Sequence, residues 1–572
     1  MVTAFSTVSE MSKESDVVTV RSTVLPIAFM VLGACVAPVR ADDLPPAKSR
    51  AKKKKAAASK SPREAAADKA LAEATAALAK AQEALAAAQA ASTEAKSASA
   101  AAHAATETVK GVEVVSVKTA RDLDALKGEL LPSPAAPGAK PEPFSFADFG
   151  WLNGGGRNSE TPLNFKAFTG EFRLDSNYVY DFAHPADKSL SGSTNTNRSG
   201  EFQVEQLGIG GDFHYNNVRG RLMTQLGMYS TSQPRNDASG TIGQWDLDTA
   251  YRYISEAYGG YHFDKWYGIN VDVGIFMSYI GLCSYYNFDN WIYQMSYVSA
   301  NTPWYFNGVR VQIFPTEKFK LELWYTNGWQ SYGMFDSRMG IGFQARYAPT
   351  ADWVLVSNNY YGKDALGAPD RFRIHSDNSV LHKYYDHPEK KHGLSKAAWS
   401  FTFDLGGESG DGASIGDTSD PNEHRQYFIG AMAYNRLWFG QDHYALTIGG
   451  GTITNPGRYL VLTPPINGAT NASAAAPFFT ANQGDPFHAW DASICFDYMP
   501  EKQLTHRLEL VHREANVPYF AGPGGMTPQT APTVYQNEGA PGSPALNFDG
   551  SPFVPDLRKA ETRIDYALMV KI

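Results

Sequence analysis

From Arg563 to Ile572 the chain reads R-I-D-Y-A-L-M-V-K-I, and the alternation never slips. Ile564, Tyr566, Leu568, Val570 and Ile572 share one parity, and Arg563, Asp565, Ala567, Met569 and Lys571 share the other. An extended strand turns successive side chains to opposite faces, so this segment has one apolar face and one face that carries charge. Two environments satisfy such a strand. One is a sheet half-buried in a soluble sandwich; the other is a closed sheet with lipid outside and water inside. The rest of the chain decides between them.

The 572 residues include 13% aromatics and 50 glycines, yet the mean hydropathy is only −0.34. Alternating strands produce that combination, because their two faces cancel in the average. A formal net charge of −8 is mild for this length and points to no nucleic-acid partner. Residues 1–41 read as a signal peptide: Arg21 precedes an apolar run from Val24 to Val36, and Val39 and Ala41 occupy the −3 and −1 positions of a cleavage site. Translation could equally start at Met11. Leu32-Gly33-Ala34-Cys35 also fits a lipoprotein box, with cleavage before Cys35, although a barrel gains little from a lipid anchor. Cleavage after Ala41 leaves Cys283 and Cys495, which make no disulfide framework and are read as structural. No later stretch approaches about 18 consecutive apolar residues, so any membrane crossing falls to strands.

Residues 42–60 form a Lys/Ala/Ser/Pro stretch with nothing to bury, and are expected to be disordered. Ser61-Pro62-Arg63-Glu64 then supplies an N-cap, a proline at the first helical position and a capping-box glutamate. An Ala-rich helix is expected over 61–110. Leu71, Leu78 and Leu85 recur every seven residues with Ala74, Ala81 and Ala88 at the complementary core positions, a thin coiled-coil seam that suits an oligomeric periplasmic stalk reaching toward peptidoglycan. An Ala-rich tether, helical only in part, is the plainer reading. Residues 111–143 serve as a linker.

From 144 to 572 the alternation returns strand after strand. Phe168, Gly170, Phe172, Leu174, Tyr178, Tyr180 and Phe182 oppose Glu171, Arg173, Asp175 and Asp181. Hairpins are expected across Asn216-Asn217, 264–268, 315–318, 349–352 and 499–503. Long polar connections fall near 183–201, 231–250, 281–304, 362–378, 406–424, 454–486 and 514–558. Short turns at one end and long loops at the other, with about sixteen strands, describe an all-β transmembrane, antiparallel outer-membrane β-barrel. The alternative sandwich would bury Arg173, Arg219, Arg221, Arg310, Lys320, Glu322, Arg507, Glu509, Arg563 and Asp565 in a dry core at prohibitive cost. A water-filled lumen accommodates them.

Phe149-Gly150-Trp151-Leu152-Asn153-Gly154, the block Phe168–Asp175, and the run Tyr253 to Tyr332 with G-I-F-M-S-Y-I-G, N-T-P-W-Y-F-N-G-V-R and N-G-W-Q-S-Y-G resemble the OmpL-like β-barrel porin family. The resemblance covers most of the barrel but not the Ala-rich segment. It implies an outer-membrane channel and carries over no ligand residues. Passive diffusion of small hydrophilic solutes is the expected function, with outer-membrane lipid around the barrel and a homotrimer as the expected assembly. In general porins of this size the third external loop folds inward. Here that loop is 281–304, too aromatic for water: Tyr285, Tyr286, Phe288, Trp291, Tyr293 and Tyr297 either pack on the wall, the favoured reading, or offer rings to a solute. Asp289 is its only charge and is placed near the constriction. Arg173, Arg219 and Arg221 could form an anion-drawing patch; pairing with Glu171, Asp175 and other inward carboxylates is the simpler expectation, giving weak selectivity.

No G-x-S-x-G element and no metal-spaced histidine pair occurs, so neither catalysis, a metal nor a cofactor is expected. His387-Pro388-Glu389-Lys390-Lys391-His392 reads as a solvated turn. Gly208 to Gly211 and Gly449 to Gly451 fall inside strands, where glycine permits bending or close packing rather than phosphate binding. An envelope tether with an incidental or closed pore is the rival function.

Overall fold

The computed structural model describes residues 143–144, 162–459, 484–526 and 554–572, apart from 194, 235–236, 238, 240–242, 366 and 417–418. The expected signal, basic segment and Ala-rich helix lie outside the described residues, as does all of the 144–152 piece except Phe144.

Sixteen long strands make one closed antiparallel sheet. They are β1 (Phe168–Asp181), β2 (Phe202–Tyr215), β3 (Val218–Thr224), β4 (Ile254–Phe263), β5 (Ile269–Met277), β6 (Tyr305–Thr316), β7 (Phe319–Thr326) and β8 (Gly340–Thr350). The second half comprises β9 (Trp353–Gly362), β10 (Phe372–Asp386), β11 (Leu394–Ser409), β12 (Tyr427–Phe439), β13 (Tyr444–Thr454), β14 (His488–Glu501), β15 (Leu504–Ala515) and β16 (Ala560–Lys571). Each strand pairs with the next, and β16 closes on β1 from Arg173 opposite Lys571 to Asp181 opposite Arg563. Ile572 completes the seam by exchanging backbone hydrogen bonds with Phe172 at 2.8 and 2.9 Å.

The period-two alternation of Arg563–Ile572 and its counterparts is the wall of this barrel. On β16 the charged parity (Arg563, Asp565) is buried toward the interior and Tyr566 is exposed outside. Leu508, Leu510, Ile494, Phe496, Ile341 and Val273 continue the exposed apolar surface around the barrel. All connections at one rim are short, and those at the other are long. The expected hairpins form, together with one across Gly440–His443 that carried no recognised turn signal. Some boundaries differ from expectation. The expected connection at 362–378 ends at 371, because Phe372–Asp386 pairs with both neighbours as strand. The connection expected from 231 begins at 225, since β3 ends at Thr224 and a one-turn helix at Tyr229–Ser232 follows. An eighth long loop, 327–339, was missing from the expected set; its Trp329 and Tyr332 are buried, and that aromatic content hid it.

Candidate functional site

The loop between β5 and β6, residues 278–304, enters the barrel; its middle, 287–300, lies against β1 and β12–β16, while Tyr286 reaches Glu256 on β4 and Tyr279 bonds Gln344 on β8 and Asn359 on β9. Three short pieces shape it: a 3-10 turn at Asn287–Asp289, a helical turn at Tyr297–Ala300, and a cap in which the Ser296 hydroxyl accepts from Val298 N. Lumen-facing charges on the wall hold its backbone. The Arg507 guanidinium donates to the carbonyls of Asn287 (3.1 Å), Ile292 (2.8 Å) and Asn290 (2.6 Å) while bound to both Asp497 oxygens. Glu509 accepts from Tyr293 N and Gln294 N, and Asp491 accepts from Ser296 Oγ (2.8 Å) and Tyr297 N (2.9 Å). Arg436 donates to the Trp291 carbonyl at 3.1 Å. Each charge-assisted bond of this kind contributes on the order of 1.5–3 kcal/mol, so the loop is fixed rather than hanging. Arg507 and Glu509 were read as lumen charges from their parity; their grip on a loop some 215 residues away has no signal in the sequence.

Glycine makes the close approach possible. A Cβ on Gly430 would sit 3.2 Å from Val298 Cγ2, and one on Gly451 would collide with Ser296 Oγ. The glycine run on β13 therefore gives the helical turn its seat, which agrees with the close-packing reading.

Tyr285, Tyr286, Trp291, Tyr293 and Tyr297 are all buried. Burial pushes the phenols of Tyr285, Tyr286, Tyr293 and Tyr297 well above their ordinary range and the Cys283 thiol up to about 12, so none titrates near neutrality. Trp291 and Arg219 do not line the cavity described next: Trp291 packs edge-on against Trp438 at 5.6 Å, across the loop from it, because Arg436 holds its carbonyl there, and Arg219 pairs with Asp272. Asp289 sits near the short-turn rim, paired with Arg173 at 2.8 Å and Lys571 at 3.3 Å.

On the other side of the loop a cavity of about 470 Å3 remains against β2–β8. It brings together Arg173, Arg221, Arg310, Lys320, Glu322, Asp289, Tyr285 and Tyr286 from the sequence-derived candidates, and adds Asp212, Glu256, Tyr258, Trp324 and Arg346. Arg221 binds Glu171 (2.8 Å), Asp212 (2.8 Å) and Glu256 (2.9 Å), and Arg173 binds Glu171 as well as Asp289. Arg310 and Arg219 share Asp272 at 2.8 and 3.4 Å, and Lys320 pairs with Glu322 at 2.7 Å. Among the described residues Asp175 has no arginine within 4.0 Å, and it accepts from Asn287 and Tyr293. Arg346 was overlooked although it shares the inward parity of Gln344 on β8. Tyr285, Tyr286 and Trp304 of its lining belong to a buried aromatic cluster with Tyr229, Tyr305 and Tyr332. Among the described residues no cluster of histidine, cysteine and carboxylate groups is arranged to hold a metal.

A closed antiparallel barrel with an apolar exterior, a charged interior and an inward-folded loop defines the porin class of outer-membrane β-barrel. The chain belongs to the family described as "Putative beta-barrel porin-2, OmpL-like", whose profile matches residues 168–535. Solved structures it is similar to include OmpT, an outer membrane protein of Vibrio cholerae (6% identity, TM-score 0.39, covering 71% of this chain and 97% of that one). Others are the outer membrane channel DcaP of Acinetobacter baumannii (12%, 0.38, 73% and 99%) and OprB of Pseudomonas putida (10%, 0.39, 71% and 94%). No curated protein matches the chain in sequence.

Proposed function

We propose that this protein is a passive channel for small hydrophilic solutes across the outer membrane. The observation that carries the reading is the division of the lumen. The middle of the loop, 287–300, is bound to β1 and β12–β16, while β2–β8 keep a charged cavity of about 470 Å3 beside it. Mixed charge along that cavity supports weak selectivity. The short-turn rim would face the periplasm, where residues 42–143 would form the stalk, its Leu71, Leu78 and Leu85 seam joining three barrels and its end near peptidoglycan. Single-channel recording of the full-length protein in a planar bilayer tests this: stable open steps, single or in threes, are expected, and silence from a heat-modifiable barrel would overturn it.

A tether with a closed pore is favoured by one feature, the buried aromatic cluster that adjoins the cavity. Deleting residues 42–143 separates the readings: a channel still conducts, whereas loss of a tether loosens the envelope.

A further inference from the structure

We propose that the β7–β8 wall of the cavity is a binding site for small organic carboxylates, with Arg346 and Lys320 as the anion-recognising pair. The inference rests on the cavity of the channel reading and gives it a solute class.

Lys320 and Arg346 stand directly opposite each other in the β7–β8 register, and both line the cavity. Like charges in directly opposed positions repel, so the pair needs negative charge between them. Glu322 supplies one carboxylate, and Lys320 takes it at 2.7 Å. Trp324 Nε1 and Gln312 Nε2 also donate to Glu322, at 3.0 and 2.8 Å, so three of its about four acceptor positions are taken without Arg346. Arg346 has no carboxylate within 4.0 Å among the described residues, and its buried Nε meets no acceptor there. One face of its guanidinium is over the Phe144 ring at 5.0 Å, which fixes the group without neutralising it.

The neighbouring charges do not cancel the surplus. On β3 and β6 the two guanidiniums Arg219 and Arg310 share the single carboxylate of Asp272. Across the cavity the balance is reversed: Arg173, Arg221 and Lys571 answer four carboxylates, Glu171, Asp212, Glu256 and Asp289. An anion entering the cavity is therefore drawn to β7–β8. A planar carboxylate matches the guanidinium fork with two parallel hydrogen bonds, and Lys320 adds a point charge beside it. Tyr258, Tyr279 and Trp324 belong to the same lining, with Tyr279 stacked on Trp324 at 4.7 Å beside the charged pair.

The test is calorimetric titration of benzoate and of benzamide, its uncharged counterpart, into full-length protein folded in detergent. Benzoate is expected to saturate and benzamide to bind at least tenfold more weakly. Arg346→Gln and Lys320→Gln, each checked for a heat-modifiable barrel, are expected to weaken benzoate at least tenfold. Arg346→Lys keeps the charge without the fork and should fall between. Lys390→Gln in the exposed turn should bind as the unaltered protein does. Equal binding of benzoate and benzamide, no benzoate binding, or full affinity in Arg346→Gln overturns the site. Binding that survives in a barrel showing no conductance supports the site and removes only the channel. Open steps without benzoate binding remove only the site.

Discussion

Arg173 on β1 and Asp289 in loop 278–304 lie 116 residues apart and meet in an ion pair at 2.8 Å, with the Arg173 guanidinium also over the Tyr286 ring at 3.9 Å. The contact pins the loop near the short-turn rim. Asp289→Asn should cost about 1–3 kcal/mol, since it removes the charge that Arg173 and Lys571 both pair with at this position. A denaturant titration of the folded barrel measures the loss, and single-channel steps should become larger or noisier. Unchanged stability and unchanged steps would show that the loop is held without this pair.

Gly451 gives the helical turn at Tyr297–Ala300 its room, a Cβ there meeting Ser296 Oγ and the Ala431 carbonyl. Gly451→Val is expected to destabilise by about 1–3 kcal/mol through overpacking and to lift the loop from the wall. Limited proteolysis should then cut within 278–304, while the unaltered barrel resists.

Leu508 and Arg507 are adjacent on β15, yet Leu508 is 51% exposed on the outer surface and Arg507 is 2% exposed inside. Arg at position 508 would face hydrocarbon. Leu508→Arg should lower folding stability in a bilayer by about 2–4 kcal/mol, against little change for Leu508→Ile. Equal stabilities would place this face away from lipid.

Asp364, in the loop after β9, accepts from Tyr360 Oη (3.0 Å) and Trp329 N (3.1 Å), tying loops 363–371 and 327–339 together. Burial pushes its carboxyl up to about 6, against the opposing pull of Arg373 and aided by Glu408. A carboxyl whose pKa rises on folding favours the protonated native state. Its contribution is therefore complete below the ordinary value of 3.8 and is lost as pH rises through 6. Hydrogen exchange should show the two loops better protected at pH 5 than at pH 7.5, and Asp364→Asn should make protection insensitive to pH over that range.

Much of the wall was legible because a barrel strand obeys a local rule. Period-two alternation sorts Arg173 from Leu174 and Arg563 from Ile564 without reference to any other part of the chain. Asn216-Asn217 likewise announces its hairpin, since a two-residue turn is a local event. The rule weakens where aromatic residues occupy loops. Trp329 and Tyr332 read as strand-like and hid loop 327–339, and the length of β10 was cut short because Ser376, Asp377 and Asn378 look like a loop until their partners are known. Arg346 follows the same parity as Gln344 and was available to the same argument, but a lone arginine gains meaning only from the neighbours that fail to neutralise it.

The sequence by itself determined the class of the fold, the sign of each strand face and the identity of the loop that must pack inside, because side-chain alternation and aromatic content are local properties. Only the tertiary structure decided which wall that loop covers and which charges remain over. Arg507 reaches carbonyls some 215 positions away, Asp289 answers Arg173 and Lys571, and Arg346 is left beside Lys320. Those outcomes depend on barrel closure, which sets strand order and register around the ring and so brings distant residues within a few ångströms of one another.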